Sequence, residues 1–200
     1  MRRLLVIFAT ALLLAGCGSK TKLEKLDSSA VVLAFGDSLT FGTGATPAQA
    51  YPAVLERAIG RKVVNAGVPG ETSEQGLQRL PEVLDEVKPR LLILCHGGND
   101  FLRRLDDGKA AANVRKMIEV ARGRGIAVVL MGTPKPTLPP SIPSFYSELA
   151  KELKVPYEEA VLRSVLLDSR LKSDLVHPNA AGYSEIAAAL EAVLKKAGAI

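Results

Sequence analysis

Short apolar runs, each followed by a helical pattern, constrain this chain more than any other feature of its sequence. Residues 30–35, 91–95 and 126–131 are almost wholly apolar, and 61–65 supplies a further run around Val63 and Val64. Runs of this length, carrying β-branched residues and bounded by glycine or polar residues, read as buried strands. Between them, 52–59, 73–87 and 107–122 read as helices. Leu77, Leu80, Val83, Leu84 and Val87 recur at three-to-four spacing in the second helix, as do Val114, Met117, Ile118 and Ala121 in the third. Pro52 and Gly60 bound the first helix, and Pro81 predicts a kink or a restart in the second. Residues 134–143 hold five prolines and read as a stiff loop. A helix at 144–153, a weak fifth strand at 155–157, a mostly helical stretch to 167 and a helix at 180–196 complete the pattern.

Continuous apolar strands separated by helices predict an α/β fold, a parallel sheet covered on both faces. With right-handed crossovers, five strands suit a three-layer α/β/α flavodoxin-like sandwich of order 2-1-3-4-5. The 200 residues fit one domain, without repeats or an internal boundary. Aromatics make up 4% of the chain and Trp is absent, so the core must be aliphatic. The expected order sets the carboxyl ends of the first three strands side by side. Ser38, the Gly67/Gly70 turn and the segment after Cys95 then converge on one patch.

Residues 1–16 read as an export signal rather than part of the fold: Arg2-Arg3 precede a short apolar stretch. Leu14-Ala15-Gly16-Cys17 looks like a bacterial lipoprotein signal, which makes Cys17 the lipidated first residue of the mature chain. Several acyl chains on one residue give stable membrane attachment. Residues 17–29 then form a solvated tether and 30–200 the folded domain. Gly18-Ser19 resembles an outer-membrane sorting pattern, on the periplasmic side in a host with two membranes. Cys95 alone remains, so no intramolecular disulfide is expected, and its apolar surroundings predict a buried structural thiol. Two histidines in unrelated contexts give no metal cluster, and no cofactor is expected. The formal charge is +5; without Arg2 and Arg3 the balance is 24 basic against 21 acidic residues, or +3. No basic stripe with interleaved aromatics is present, which argues against nucleic acid as a partner.

Acyl transfer by serine needs a hydroxyl, a base, a group that orients the base, and donors for the oxyanion. Ser38 follows the first strand in Gly36-Asp37-Ser38, where open α/β sheets place their chemistry. His177 is the candidate base, biased away from helical angles by Pro178. Asp174, three residues earlier, can reach its Nδ1. Asn99, in Gly97-Gly98-Asn99-Asp100, follows the third strand and offers a side-chain amide. A glycine N–H after the second strand and the N–H of Ser38 complete three donors.

Gly36-Asp37-Ser38-Leu39, Gly70, Gly97-Gly98-Asn99-Asp100 and Asp174-Leu175-Val176-His177 resemble, in order and spacing, the four blocks of the SGNH (GDSL) hydrolase family. The resemblance spans about 30–200, and 65–100 is especially similar to the thioesterase I/lysophospholipase L1/arylesterase group. It implies Ser38 as nucleophile, His177 as base, Asp174 as its orienter, and Ser38, Gly70 and Asn99 as oxyanion donors, with Gly70 preferred to Gly67. Asp37 and Asp100 would brace loops. The 134–143 loop and the pair Cys95-His96 depart from the group. The expectation is a serine esterase of the cell envelope, acting on a small-molecule ester, thioester or lysophospholipid. The rivals are an O-acetylesterase of envelope polysaccharide, a non-catalytic binding lipoprotein, and a flavin protein with Gly42-Thr43-Gly44 as phosphate loop.

Overall fold

The computed structural model describes residues 21–200. The proposed leader at 1–16 and the lipidation site Cys17 lie outside the described residues. Strands β1 (Val32–Gly36), β2 (Val63–Gly67), β3 (Leu91–Cys95), β4 (Ala127–Met131) and β5 (Tyr157–Glu158) form one sheet in the order β2-β1-β3-β4-β5. Every pairing is parallel, as the apolar runs require. All five residues of β1 and of β3 are buried, because the sheet is covered on both faces.

Among the described residues, eight helices flank the sheet or stand at its carboxyl edge: α1 (Ser38–Phe41), α2 (Tyr51–Ile59), α3 (Ser73–Val87), α4 (Gly98–Leu102), α5 (Asp107–Gly123), α6 (Phe145–Glu152), α7 (Val161–Leu167) and α8 (Ala180–Ala197). Successive strand residues point to opposite faces, which divides the interior in two. Val32, Ala34, Leu91 and Ile93 pack on Leu55 of α2, Val165 of α7 and Ile186 and Leu190 of α8. Leu33, Phe35, Leu92 and Leu94 pack on Leu80 of α3, Met117 and Ile118 of α5 and Leu149 of α6. Each such aliphatic side chain contributes about 1.5–3 kcal/mol on burial, so a core with few aromatics suffices.

Several boundaries differ from expectation for local reasons. β2 begins at Val63, after Lys62, and the Arg61 side chain is spent on Leu26 O and Asp27 O. β5 begins after Pro156, which has no N–H to give to the ladder. α3 passes through Pro81 as one element, without restarting. The stretch expected to be a solvated tether is tied down from its described start: Leu23 N–H and Leu26 N–H donate to Ala197 O and Ala199 O, and Leu26 is buried. The largest omissions are α1 and α4, for which the sequence predicts no helix. Each is a single turn of helix at a strand's carboxyl end, and each carries a candidate site residue.

Candidate active site

Ser38 stands one residue past the first helix cap. β1 ends at Gly36, and the buried Asp37 caps α1 by accepting Leu39 N–H at 3.0 Å. Ser38 is thereby the first residue of α1, where an N–H has no intrahelical partner. Burial pushes the Asp37 carboxyl above the usual range.

The base arrives from 139 residues away in sequence. Ser173 N–H donates to His177 O at 2.9 Å and closes the loop before α8. Within it, Asp174 Oδ1 accepts the N–H groups of Val176 and His177 at 2.8 and 2.9 Å. That leaves Asp174 Oδ2 facing His177 Nδ1 at 2.8 Å, and His177 Nε2 lies 3.0 Å from Ser38 Oγ. A carboxylate only accepts, so Nδ1 carries the hydrogen and Nε2 accepts from the hydroxyl. Partial burial raises the Asp174 carboxyl, but the Val176 and His177 hydrogen bonds outweigh it and hold the group below its ordinary value.

The donors come from the neighbouring strand ends. Gly67 N–H is consumed by Asn65 Oδ1 at 2.9 Å. Gly70, at φ +80°, occupies a left-handed position that favours glycine, and its N–H has no acceptor among the described residues. The two candidates of the sequence reading are thus separated by an observation. After β3, Gly97 at φ +115° opens α4, whose second residue is Asn99. Asn99 Nδ2 donates to Glu71 O at 3.0 Å and makes a longer contact of 3.4 Å to Asp37 Oδ2. Asp100 ties α4 to the start of α3 by accepting Ser73 N–H at 2.8 Å and Ser73 Oγ–H at 2.7 Å. Both aspartates of the glycine-rich blocks therefore brace, as expected.

A cavity of about 460 Å³ opens at this point, lined by Ser38, Asn99 and His177 on one side. Its other walls are the proline-rich loop from Pro134 to Pro140 together with Leu102, Leu166, Leu167 and Leu175. Leu138 and Leu175 are 97% and 81% exposed at its rim. The two lysines on the walls are engaged elsewhere: Lys172 Nζ donates to Leu166 O at 3.1 Å and Lys135 pairs with Asp107. The cavity is thus shaped for an uncharged, aliphatic group beside a serine hydroxyl.

Other sequence expectations sort as follows. Cys95 is buried, and burial pushes its thiol well up, away from nucleophilic use. The Gly42-Thr43-Gly44 phosphate loop is overturned. The N–H groups of Gly42 and Thr43 both donate to Ser38 O, closing the end of α1, so they are not free to cradle a phosphate. Unforeseen was a buried cluster beside the donors, in which Glu71 joins Arg79 and His96.

The model of the GDSL-like lipase/acylhydrolase family matches residues 34–184, from β1 into α8. The chain belongs to this family. It is a hydrolase of the GDSL/SGNH type, and the sheet order is that of an SGNH fold. Esterase TesA of Pseudomonas aeruginosa is 36% identical over 143 residues, which are 69% of this chain and 70% of that protein. Thioesterase 1/protease 1/lysophospholipase L1 of Escherichia coli is 32% identical over 156 residues, 74% of this chain and 75% of the relative. The crystal structure of a TesA superposes with a TM-score of 0.73 at 28% identity, covering 82% of this chain and 98% of the other. Within this GDSL hydrolase, the proline-rich loop forms one wall of the cavity beside Ser38.

Proposed function

We propose that the protein hydrolyses esters of aliphatic acids through a serine acyl-enzyme, with Ser38 as nucleophile, His177 as general base and acid, and Asp174 as the group that orients His177. The observation that carries this reading is the unbroken relay from Asp174 Oδ2 through the imidazole to Ser38 Oγ, at 2.8 and 3.0 Å. Ser38 Oγ attacks the carbonyl as its proton passes to His177 Nε2. The tetrahedral oxyanion is held by the N–H groups of Ser38 and Gly70 and by Asn99 Nδ2, which exchanges its 3.4 Å contact with Asp37 for the substrate oxygen. His177 returns the proton to the leaving alcohol or thiol. Water, deprotonated by the same imidazole, then frees the acid and restores Ser38.

The apolar cavity favours an alkyl acyl group over a glycan acetate, and the names of the relatives extend the leaving group from alcohols to thiols and lysophospholipids. A complete relay argues against a binding-only lipoprotein. Ser38→Ala is expected to lower kcat on p-nitrophenyl butyrate by about 10³-fold or more. A variant that hydrolyses this ester at the parent rate, or a parent protein unreactive toward a fluorophosphonate, would sink the proposal. Attachment to the envelope through Cys17 belongs to the same reading and rests on the Leu14–Cys17 motif alone. Labelled palmitate should enter the parent chain in a bacterial host and be absent from Cys17→Ala.

A further inference from the structure

Glu71 is joined by its main chain to both strand-end donors. It follows Gly70 directly, and its own carbonyl accepts Asn99 Nδ2 at 3.0 Å. Its carboxylate, in a residue 7% exposed, is gripped from two sides. Arg79 donates Nε–H and Nη2–H to its two oxygens at 2.7 Å each, and His96 Nε2 lies 3.0 Å from Oε2. Burial alone would raise this carboxyl; the Arg79 and His96 hydrogen bonds bring it down to about 2.

The gripping groups are anchored in turn. Arg79 Nη2 also donates to Ala66 O of β2 at 3.1 Å, and its guanidinium lies 4.2 Å over the Phe35 ring of β1. His96, fully buried, follows β3, and its carbonyl accepts Tyr146 Oη–H of α6 at 2.6 Å. The Glu71 carboxylate only accepts, so Nε2 carries a hydrogen and donates it. Nδ1 is buried without a partner among the described residues, an arrangement that costs stability and calls for a compensating role. The helix makes room for the ring: a Cβ at Gly76 would stand 2.2 Å from His96 Nε2. Three adjacent strands thus fix one side chain, and that side chain fixes the backbone between two donors.

We propose that His96, Glu71 and Arg79 form a positioning unit that holds the Gly70 N–H and the Asn99 amide in the geometry of the oxyanion, a role that rests on the assignment of those donors above. The unit touches no substrate atom. It acts on the charge that develops in the transition state, so its loss must appear in kcat and leave KM in place. Removal of one oxyanion donor costs roughly 10²–10³-fold, and an ångström of misplacement about 10²-fold. His96→Leu, which fills the space without a donor, is therefore expected to lower kcat about 10- to 10²-fold.

The experiment compares His96→Leu, His96→Gln and Arg79→Lys with the parent on p-nitrophenyl butyrate, alongside thermal melts and fluorophosphonate labelling. His96→Gln restores a donor toward Glu71 and is expected within about threefold of the parent kcat. Arg79→Lys keeps the charge but not the fork and is expected to fall with His96→Leu. KM should stay within twofold throughout. Parent-like kcat in a folded His96→Leu overturns the proposal, and so does a loss that appears in KM alone or one that His96→Gln does not rescue. Should His96→Leu fail to fold, the kcat of Arg79→Lys decides by the same criterion. If Ser38→Ala is inactive while these variants keep the parent kcat, only the positioning unit fails; an active Ser38→Ala removes the reading beneath it.

Discussion

Asp174→Asn keeps the shape of the side chain and removes one charge 2.8 Å from His177 Nδ1, and the structure allows its cost to be worked out in two parts. The first is electrostatic. In the proposed mechanism an imidazolium forms as Ser38 attacks, and a unit charge 4 Å away stabilises it by about 1 kcal/mol in water or about 4 kcal/mol near a protein surface. The Asp174 side chain is 51% exposed and that of His177 19%, so water screens the pair part-way. A value of about 2–3 kcal/mol follows, or roughly 30- to 160-fold in rate.

The second part is the tautomer. Val176 and His177 donate their N–H groups to Oδ1, so the asparagine oxygen stays on that side and its NH₂ faces Nδ1. Nδ1 must then accept, the ring hydrogen moves to Nε2, and Nε2 can no longer take the Ser38 proton. The same trap costs about 10⁴-fold where the aspartate is buried. For this half-exposed residue we expect about 10³-fold in kcat with KM unchanged. Asp174→Ala presents no wrong donor and admits water, so it should lose less activity than Asn despite a looser loop and a lower Tm. Steady-state hydrolysis of p-nitrophenyl butyrate reads both. An Asn variant within tenfold of the parent, or one faster than Ala, would refute the assigned roles.

Glu71→Gln should be pH-dependent in its effect on stability. The folded carboxyl lies at about 2 against an ordinary 4.5, so its contribution is present above about pH 4.5 and is lost as the pH falls toward 2. Denaturant melts at pH 7 and pH 3 should show the gap between parent and variant narrowing in acid; a gap that widens contradicts the pairing. Gly70→Ala places a side chain at φ +80°, where the added Cβ would meet only Arg103 Nη2, at 3.8 Å. It should cost about 1–2 kcal/mol of stability and, by turning the N–H, more than tenfold in kcat, measured by melts and by initial rates. Leu138→Asp and Leu175→Asp sit at the exposed rim and should leave the Tm nearly unchanged. Their KM for octanoate esters should rise more than that for acetate esters, and an equal rise for both would remove this rim from acyl recognition.

Much of this architecture was legible before any coordinates. Runs such as 91–95 are buried on both faces, so their sequence carries no alternation to misread, and their separation by helices leaves only a parallel sheet. The pairing of Asp174 with His177 is also local, spanning three residues of one loop. Single-turn helices such as α1 and α4 escaped because four or five residues cannot display a helical period. Boundaries such as the start of β5 moved by a residue or two because backbone hydrogen bonding, not hydropathy, sets where a ladder begins.

The sequence by itself determined the layers, the strand order and the identity of the groups that meet at the sheet's edge, because burial of apolar runs and short right-handed crossovers admit few alternatives. The resemblance preferred Gly70 to Gly67, but only the tertiary structure supplies the reason, since Gly67 loses its N–H to a neighbouring asparagine side chain. Tertiary structure alone brought Glu71 to Arg79 and His96, which lie 8 and 25 residues away along the chain. It alone buried Leu26 in the core and tied it to Ala199, where a solvated tether was expected. Such contacts depend on the distance and angle between atoms of separate elements, and those are properties of how the layers pack rather than of any one segment.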